Sequence, residues 1–570
     1  MRNVEWGVKL RALAEMSQDS APRTPHSALQ GVWPWAAAVL SGVLLTLCFP
    51  RWDQGWLAWI ALTPLICAVF FSRDDGRRGA LRKAALGYLA GLVFFTGTFF
   101  WLSTTLSALY ENPWLLALSP LVAMVFGFYF AFWAWFTGAV LVRDDAARKF
   151  PRSLRNLGTA AAGACAWVAH EWVRERLFGG FGWNGLGVAL HRDLPMIQIA
   201  DITGVPGVTF LVVFCNLMAV IVVRRIIGEF GPVFLKRIRW EFSFTMALIA
   251  LVFGYGVRAL LRGETGESVP LRVVAVQPNI PQTEKFDPEM EAKIFAELSK
   301  LTGLAALARP APQLVLWPES ATPHSMFADD VNYNFVLDQA KSLDGALLLG
   351  TTDFEPETRE DFNIAALLTE HGAKQQYYRK MHLVPFGEYL PLRPLFAPLC
   401  GQMVPADFTA GREANLLELP DPKIRLAALI CFEDTLGELT RRFVQNGAQV
   451  LVNITNDGWF AKSPAAEQHL ANAVFRAIEN RRPLLRCGNT GVTCGVNSLG
   501  RVDPWLKPFQ QGFVSREVRI PVGAGTTFYT RHGDWLSHLA MLVTALLLAR
   551  HIWTGRRSRS RDQTISMQSP

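Results

Sequence analysis

The chain holds 570 residues, 51% of them hydrophobic and 18% charged, with a net charge of +8. That length exceeds one ordinary domain, and the composition excludes whole-chain disorder and the collagen-like and disulfide-scaffold classes. The charge is unevenly spread: residues 262–534 carry 27 Lys and Arg against 32 Asp and Glu, and the rest carries 29 against 16, so the basic excess flanks apolar runs and forms no nucleic-acid surface.

A membrane span needs about 20 mostly apolar residues. Eight runs are candidates: 33–49, 55–71, 85–106, 113–142, 159–178, 204–224, 242–261 and 535–553. The first two are short. The fourth is long and rich in Phe and Trp, which suits a tilt or kink. Gly204, Pro206 and Gly207 give the sixth a broken entry ahead of a Val208–Val223 core. Lys and Arg set the orientation. Segments 1–32, 72–84, 143–158, 224–241 and 550–570 together carry 24 of them, and the alternate short loops 50–54, 107–112 and 179–203 carry 2. This predicts both termini in the cytoplasm and residues 262–534 on the opposite side. About 30 mostly polar residues precede the first run, which argues against a signal peptide. The expected division is an N-terminal extension (1–32), spans one to seven (33–261), an extramembrane domain (262–534), span eight (535–553) and a basic tail (554–570). Outside the cytoplasmic membrane there is no ATP or acyl-CoA, so any acyl donor there is secreted or already sits in the outer leaflet.

Residues 270–525 read as α/β. LRVVAVQPNI is a buried strand, and 288–308 an amphipathic helix with Met290, Ile294, Leu298 and Leu301 at helical spacing. QLVLWPES is a strand ending at Pro318-Glu319. ALLLGTTDF is another strand, and 363–388 reads as strand, turn, strand and loop. IRLAALICFED stops at Cys431, AQVLVNITNDGWF runs into a Gly-containing turn, and 465–482 is a helix. Polar groups collect where these strands end: Glu319, Cys431 and Asp457, with Lys380 and Glu388 in a loop. Sites of α/β folds form at such ends. A Cys, a Lys and a carboxylate suit nucleophilic acyl chemistry, in which a base takes the thiol proton and a cation stabilises thiolate or oxyanion. On residue types alone, the other reading is a buried structural Cys beside a surface ion pair.

Three motifs occur in order: Trp317-Pro318-Glu319-Ser320, Arg379-Lys380-Met381-His382-Leu383-Val384-Pro385-Phe386-Gly387-Glu388 and Ile430-Cys431-Phe432-Glu433-Asp434. Glu319 and Lys380 stand 61 residues apart, Lys380 and Cys431 51. This pattern resembles the Glu-Lys-Cys triad of the nitrilase superfamily. Placed between spans seven and eight, it resembles the apolipoprotein N-acyltransferase family, the integral-membrane branch. Residues 276–282, 453–460 and 482–486 add to the likeness, which covers about residues 33–553. The chain departs from the family at Phe432, where Tyr is common, at Gly458, where Ala is frequent, and at Cys487 and Cys494, in a stretch that often has Ser and Thr. A hydroxyl after the nucleophile is therefore not required.

The resemblance implies an αββα sandwich beside an eight-span helical bundle in the bacterial inner membrane, with the sandwich on the periplasmic side. It implies transfer of a fatty acyl chain from the sn-1 position of a phospholipid donor to the α-amine of the diacylglyceryl-cysteine of an apolipoprotein acceptor. The expected intermediate is a thioester, with no cofactor, metal or nucleic acid, and a monomer is expected. Glu319 is the expected base, Cys431 the nucleophile, and Lys380, with a backbone N–H near Phe432, the oxyanion stabiliser. Glu388 is expected to position Lys380 or the incoming amine, and Glu433 is either a loop anchor or a catalytic group. Phe286, Trp317, Trp459 and Phe460 either line an acyl entrance or pack in the core.

His170-Glu171 begins like a zinc-protease helix, but Arg174 stands where the second His belongs. The charged cluster 170–176 either meets lipid head groups or docks on the outer domain, and the role of FGWNGLG (181–187) stays open. A disulfide among Cys400, Cys487 and Cys494 is open in an oxidising compartment. Two other functions share parts of this pattern. One is a membrane-anchored nitrilase-type amidase with water as acceptor, against which eight spans argue, because an anchor needs one. The other is a transporter or scaffold with a degenerate outer domain, against which an intact triad and the lack of a repeat argue.

Overall fold

The computed structural model describes residues 25–71, 76–141, 152–228, 239–264, 266–401, 404 and 406–566. Most of the 1–32 extension lies outside these residues, as does the end of the tail; the first helix already begins at Pro25 and runs to Leu47. All eight apolar runs are at least partly helical. Among the described residues, however, only four helices are both long and apolar enough to cross a membrane: Pro113–Leu141, Val205–Ile226, Trp240–Arg262 and Trp535–Thr554. Gly76–Thr98 and Phe100–Leu109, bent by 43° at their junction, would together make a fifth. Gly31–Leu47 and Gly55–Phe71 are apolar but short. The helix Arg152–Arg174 carries Arg155, Asn156, His170, Glu171 and Arg174, and these polar groups lower its hydropathy. The broken entry expected for the sixth run reduces to a left-handed Gly204 (φ 65°), after which one helix runs from Val205 through Pro206 in its first turn to Gly228. The fourth run ends in a π-helical turn, Phe136–Leu141.

Small residues let these helices approach. A Cβ on Gly87 would lie 2.3 Å from the Phe130 carbonyl oxygen, so the backbones of Gly76–Thr98 and Leu118–Trp135 touch there.

The α/β portion has twelve strands: β1 (Ser268–Gln277), β2 (Leu314–Leu316), β3 (Ala346–Glu355), β4 (Glu360–Thr369), β5 (Lys374–Arg379), β6 (Leu417–Pro420), β7 (Lys423–Ile430), β8 (Val450–Thr455), β9 (Leu484–Gly488), β10 (Thr493–Val496), β11 (Val502–Leu506) and β12 (Gly512–Pro521). They form two six-stranded sheets, β12-β1-β2-β3-β4-β5 and β11-β10-β9-β8-β7-β6. The centre of each is parallel, β1-β2-β3 in one and β7-β8-β9 in the other.

Alternation along the strands divides the side chains between two layers. Leu314, Leu316 and Leu348 of the first sheet join Leu426, Ala428 and Val452 of the second in one core between the sheets. Val315, Trp317, Leu347 and Leu349 face the other way, onto the helices Glu291–Ala306 and Asp330–Lys341. Behind the second sheet lie the helices Gly437–Gln445 and Ala465–Asn480, which completes an αββα sandwich. Ala465–Asn480 is buried over almost its whole length, because the loops between the membrane helices cover its other side. Arg481 pairs with Asp201 at 2.6 Å, Val205 N–H donates to Glu479 at 3.2 Å, and Trp183 donates to Gln468 at 2.9 Å.

Candidate active site

The site lies at the C-terminal ends of parallel strands, where backbone groups leave the ladder and side chains converge. After β2 the chain turns at Ser320 (φ 47°), and Gly350 packs so closely beneath that a Cβ there would sit 2.5 Å from the Glu319 Cα. Glu319 is buried. Its Oε1 accepts from Asn363 Nδ2 at 2.9 Å, and its Oε2 accepts the Asn456 N–H at 2.9 Å across from the second sheet. Lys380 follows β5. Its Nζ lies 3.5 Å from Glu319 Oε1 and donates to Glu388 Oε1 at 2.8 Å. Asn363 also donates to Glu388 at 2.8 Å, so one amide ties both carboxylates together. Burial alone disfavours the Lys380 ammonium, but the charges of Glu388, Glu319 and Cys431 outweigh it and raise its pKa, so it stays protonated.

Cys431 ends β7 in the left-handed region (φ 52°) and opens the short turn Cys431–Thr435. It keeps part of its surface open, while surrounding atoms desolvate its sulfur. That desolvation pushes the thiol well above its usual range; Glu319 and Asp457 add to the rise, and Lys380 opposes it. The resting group is a thiol whose proton needs a base.

Glu433, two residues on, is fully buried. Its Oε2 accepts the Ile430 N–H at 2.9 Å, and its Oε1 accepts Met381 N–H at 2.8 Å, His382 N–H at 3.1 Å and the Tyr378 hydroxyl at 2.8 Å. It clamps the turn of Cys431 to the loop of Lys380. Burial pushes its carboxyl up to about 7 against the pull of Lys380. Phe432 is buried in a stack with Phe181 (5.8 Å), Trp183 (6.0 Å) and His382 (5.7 Å). The FGWNGLG loop thus docks directly behind the cysteine turn. Glu171 and Arg174 anchor that loop: Glu171 accepts the Leu186 N–H at 2.8 Å, and Arg174 donates to the Trp183 carbonyl at 3.0 Å. Those contacts stay within the membrane region, whereas Arg176 of the same cluster pairs with Asp534 at the end of the outer domain. A cavity of about 430 Å³ lies behind the turn, lined by Met381, His382, Thr435 and Arg476 together with Glu171 and Arg176, and it does not reach the triad.

The four aromatic candidates separate. Trp317 is fully buried, its Nε1 donating to Thr302 at 3.1 Å, and so belongs to the outer core of the first sheet rather than to an entrance. Phe286 (50% exposed) and Trp459 (37% exposed) are open to the surroundings, and Phe460 meets Trp101 of the membrane region edge-on at 5.1 Å. Cys487 and Cys494 are buried free thiols, so no disulfide joins them; the Cys400 side chain lies outside the described residues.

Sequence reasoning missed several neighbours. Asn363 and Asn456 orient Glu319, as above. His469 lies 2.8 Å from Asp434 and 3.2 Å from Asp457, with Nε2 3.2 Å from the Cys431 carbonyl. Arg486 joins both aspartates beneath. Lys285 is buried and donates to the Glu319 carbonyl oxygen at 2.9 Å. The available signal was position: Asn456 and Arg486 fall inside noted motifs, and Lys285 lies just past residues 276–282.

Residues 272–519 match the carbon-nitrogen hydrolase family, and with the two-sheet sandwich this defines the α/β portion as a carbon-nitrogen hydrolase domain. A solved amidase from Nesterenkonia sp. is 20% identical, covering 44% of this chain and 90% of its own, with a TM-score of 0.34. Residues 41–218 match the apolipoprotein N-acyltransferase N-terminal domain. The apolipoprotein N-acyltransferase of Geobacter metallireducens is 35% identical over 90% of this chain and 95% of its own length, and that of Methylococcus capsulatus 31% over 87% and 92%. The chain belongs to the apolipoprotein N-acyltransferase family.

Proposed function

We propose that this chain moves a fatty acyl group from the sn-1 ester of a phospholipid to the α-amine of the diacylglyceryl-cysteine of an apolipoprotein, through a thioester on Cys431. The observation that carries this reading is that Glu319 and Lys380, both buried and 3.5 Å apart, stand at strand ends of one sheet while Cys431 ends β7 of the other. Glu319 takes the Cys431 proton as sulfur attacks the ester carbonyl. Lys380 and the backbone N–H near Phe432 hold the tetrahedral oxyanion. The C–O bond breaks, Glu319 returns the proton to the departing alkoxide, and lysophospholipid leaves. The acceptor amine then attacks the thioester, the C–N bond forms as C–S breaks, and Glu319 takes the amine proton to regenerate the thiol. Exchange of ester for amide runs downhill without ATP.

Glu388 positions Lys380, which the 2.8 Å contact supports. Phe286, Trp459 and Phe460 stand at the entrance, in keeping with their exposure or their contact with Trp101. In this reading the chain is a monomer that crosses a bacterial inner membrane eight times, divided as 33–261, 262–534 and 535–553. The periplasmic side holds 262–534, as the distribution of Lys and Arg favours. Purified protein given phospholipid and a diacylated peptide is expected to yield N-acyl peptide. Free fatty acid without N-acyl peptide would instead make the chain an amidase-like hydrolase.

A further inference from the structure

A lysine ammonium is rarely buried without a carboxylate of its own. Lys285 is 2% exposed, and among the described residues no Asp or Glu lies within ion-pair distance of it. Its neighbour Glu284 pairs with Lys293 instead. The hydrogen bond given to its Nζ goes to the main-chain carbonyl of Glu319, at 2.9 Å. The segment that leads to it is held by residues of the second sheet: Asn489 accepts the Ile280 N–H at 3.0 Å and donates to its carbonyl at 2.8 Å, and Gln282 accepts from Asn456 at 2.8 Å. Asn456 is the residue whose N–H holds the Glu319 carboxylate. The charge count is equally specific. Glu319 and Glu388 face the single ammonium of Lys380, leaving one negative charge unbalanced in a desolvated site. Lys285 is a second buried amine at the same strand end.

We propose that Lys285 is a positioning residue for acyl transfer, pinning the Glu319 main chain through its carbonyl and balancing the second carboxylate so that Glu319 can accept and return the Cys431 proton. This rests on the acyl-transfer reading. The titratable groups that act on the Lys285 ammonium are Glu319, after β2, and Cys431, after β7; Glu319 in turn lies beside Lys380, which pairs with Glu388. Desolvation pushes Lys285 down to about 7, against the pull of Glu319 and Cys431. The ammonium is therefore charged below about pH 7 and discharges above it.

The test compares Lys285→Met, which keeps the apolar stem but neither charge nor donor, with Lys285→Gln, one bond shorter than lysine, which keeps a neutral N–H donor. Full-length protein in detergent is read in two ways: by mass spectrometry, the rate at which a phospholipid acyl group appears on Cys431, and, across pH, the rate at which iodoacetamide alkylates Cys431. Lys285→Met is expected to slow acylation about 100-fold. Lys285→Gln is expected to slow both reactions about tenfold below pH 7 and to converge on the wild type above it, a pH signature that loss of packing alone would not give. Should Lys285→Met fail to fold, Lys285→Gln carries the decision. Wild-type rates in Lys285→Gln across the whole pH range, or a uniform loss with no convergence, would overturn the proposal. A wild type that never takes up an acyl group, while its alkylation still depends on Lys285, would overturn the acyl-transfer reading and leave Lys285 in its place beside Glu319.

Discussion

Left-handed backbone at a non-glycine residue costs about 1–3 kcal/mol, and Cys431 holds it because its neighbours leave no alternative. The Cys431 carbonyl is taken by Asn453 at 2.9 Å and approached by His469, and Glu433 holds the Ile430 N–H just before the turn and the Met381 and His382 N–H groups of the Lys380 loop. Glu433 is thus a clamp with a titration of its own. The folded carboxyl sits near 7 against an ordinary 4.5, so the folded state keeps a proton that the unfolded chain releases. Its ionisation costs nothing below about pH 4.5, costs progressively more as pH rises, and reaches its full penalty above about pH 7. The loss of thermal stability between about pH 5 and 7 is expected to be smaller in Glu433→Gln than in the wild type, measured by melting temperature in detergent. An unchanged slope would count against the clamp's protonation.

Residues of this kind were legible in unequal measure. Glu319, Lys380 and Cys431 stand at strand ends inside long motifs, where a polar residue after an apolar strand is conspicuous. Lys285 and His469 were not, because an isolated Lys in a loop or His on a helix reads as solvated or packed until another strand brings its partner. Trp317, open in the sequence between entrance and core, packs in the core for a simple reason. In β2, Leu314 and Leu316 face the other sheet, so Val315 and Trp317 must face the outer helices.

At the scale of elements, the decisive contact joins the membrane region to the cysteine turn. Phe181 and Trp183 stack on Phe432 almost parallel, at 6° and 4°, while Trp183 also donates to Gln468 on Ala465–Asn480. One loop between membrane helices therefore supports both the cysteine turn and the helix behind it. Trp183→Ala should cost about 3–5 kcal/mol of stability and slow acylation of Cys431, whereas Trp114→Ala, 85% exposed, should do neither. Thermal unfolding and acylation rate together check this, and a Trp183→Ala protein with normal values for both would separate the two regions. The α/β elements were legible because period-2 apolar strands and a 3.6-period helix have distinct patterns. The membrane helices were less so. Arg152–Arg174 buries polar side chains against its neighbours, and the 43° bend between Gly76–Thr98 and Phe100–Leu109 is a feature that no hydropathy window registers.

For the whole molecule, charge and topology carry the argument. A group donor outside the cytoplasm has to be a membrane lipid or a secreted compound, so the side of the membrane on which Cys431 lies decides the chemistry. A reporter active only in the periplasm is expected to work when fused after Gly523 and to fail when fused after Pro570. The opposite pattern would reverse the orientation that the Lys and Arg distribution favours.

The most direct measurement is an intact-protein and peptide mass spectrum of the wild type and Cys431→Ala after incubation with phospholipid. One acyl group is expected on the Cys431 peptide of the wild type, none in Cys431→Ala, and the adduct should disappear as N-acyl peptide forms when a diacylated peptide is added. An acyl adduct that persists in Cys431→Ala, or a wild type that acylates the peptide with Cys431 unmodified at every time point, would contradict the account.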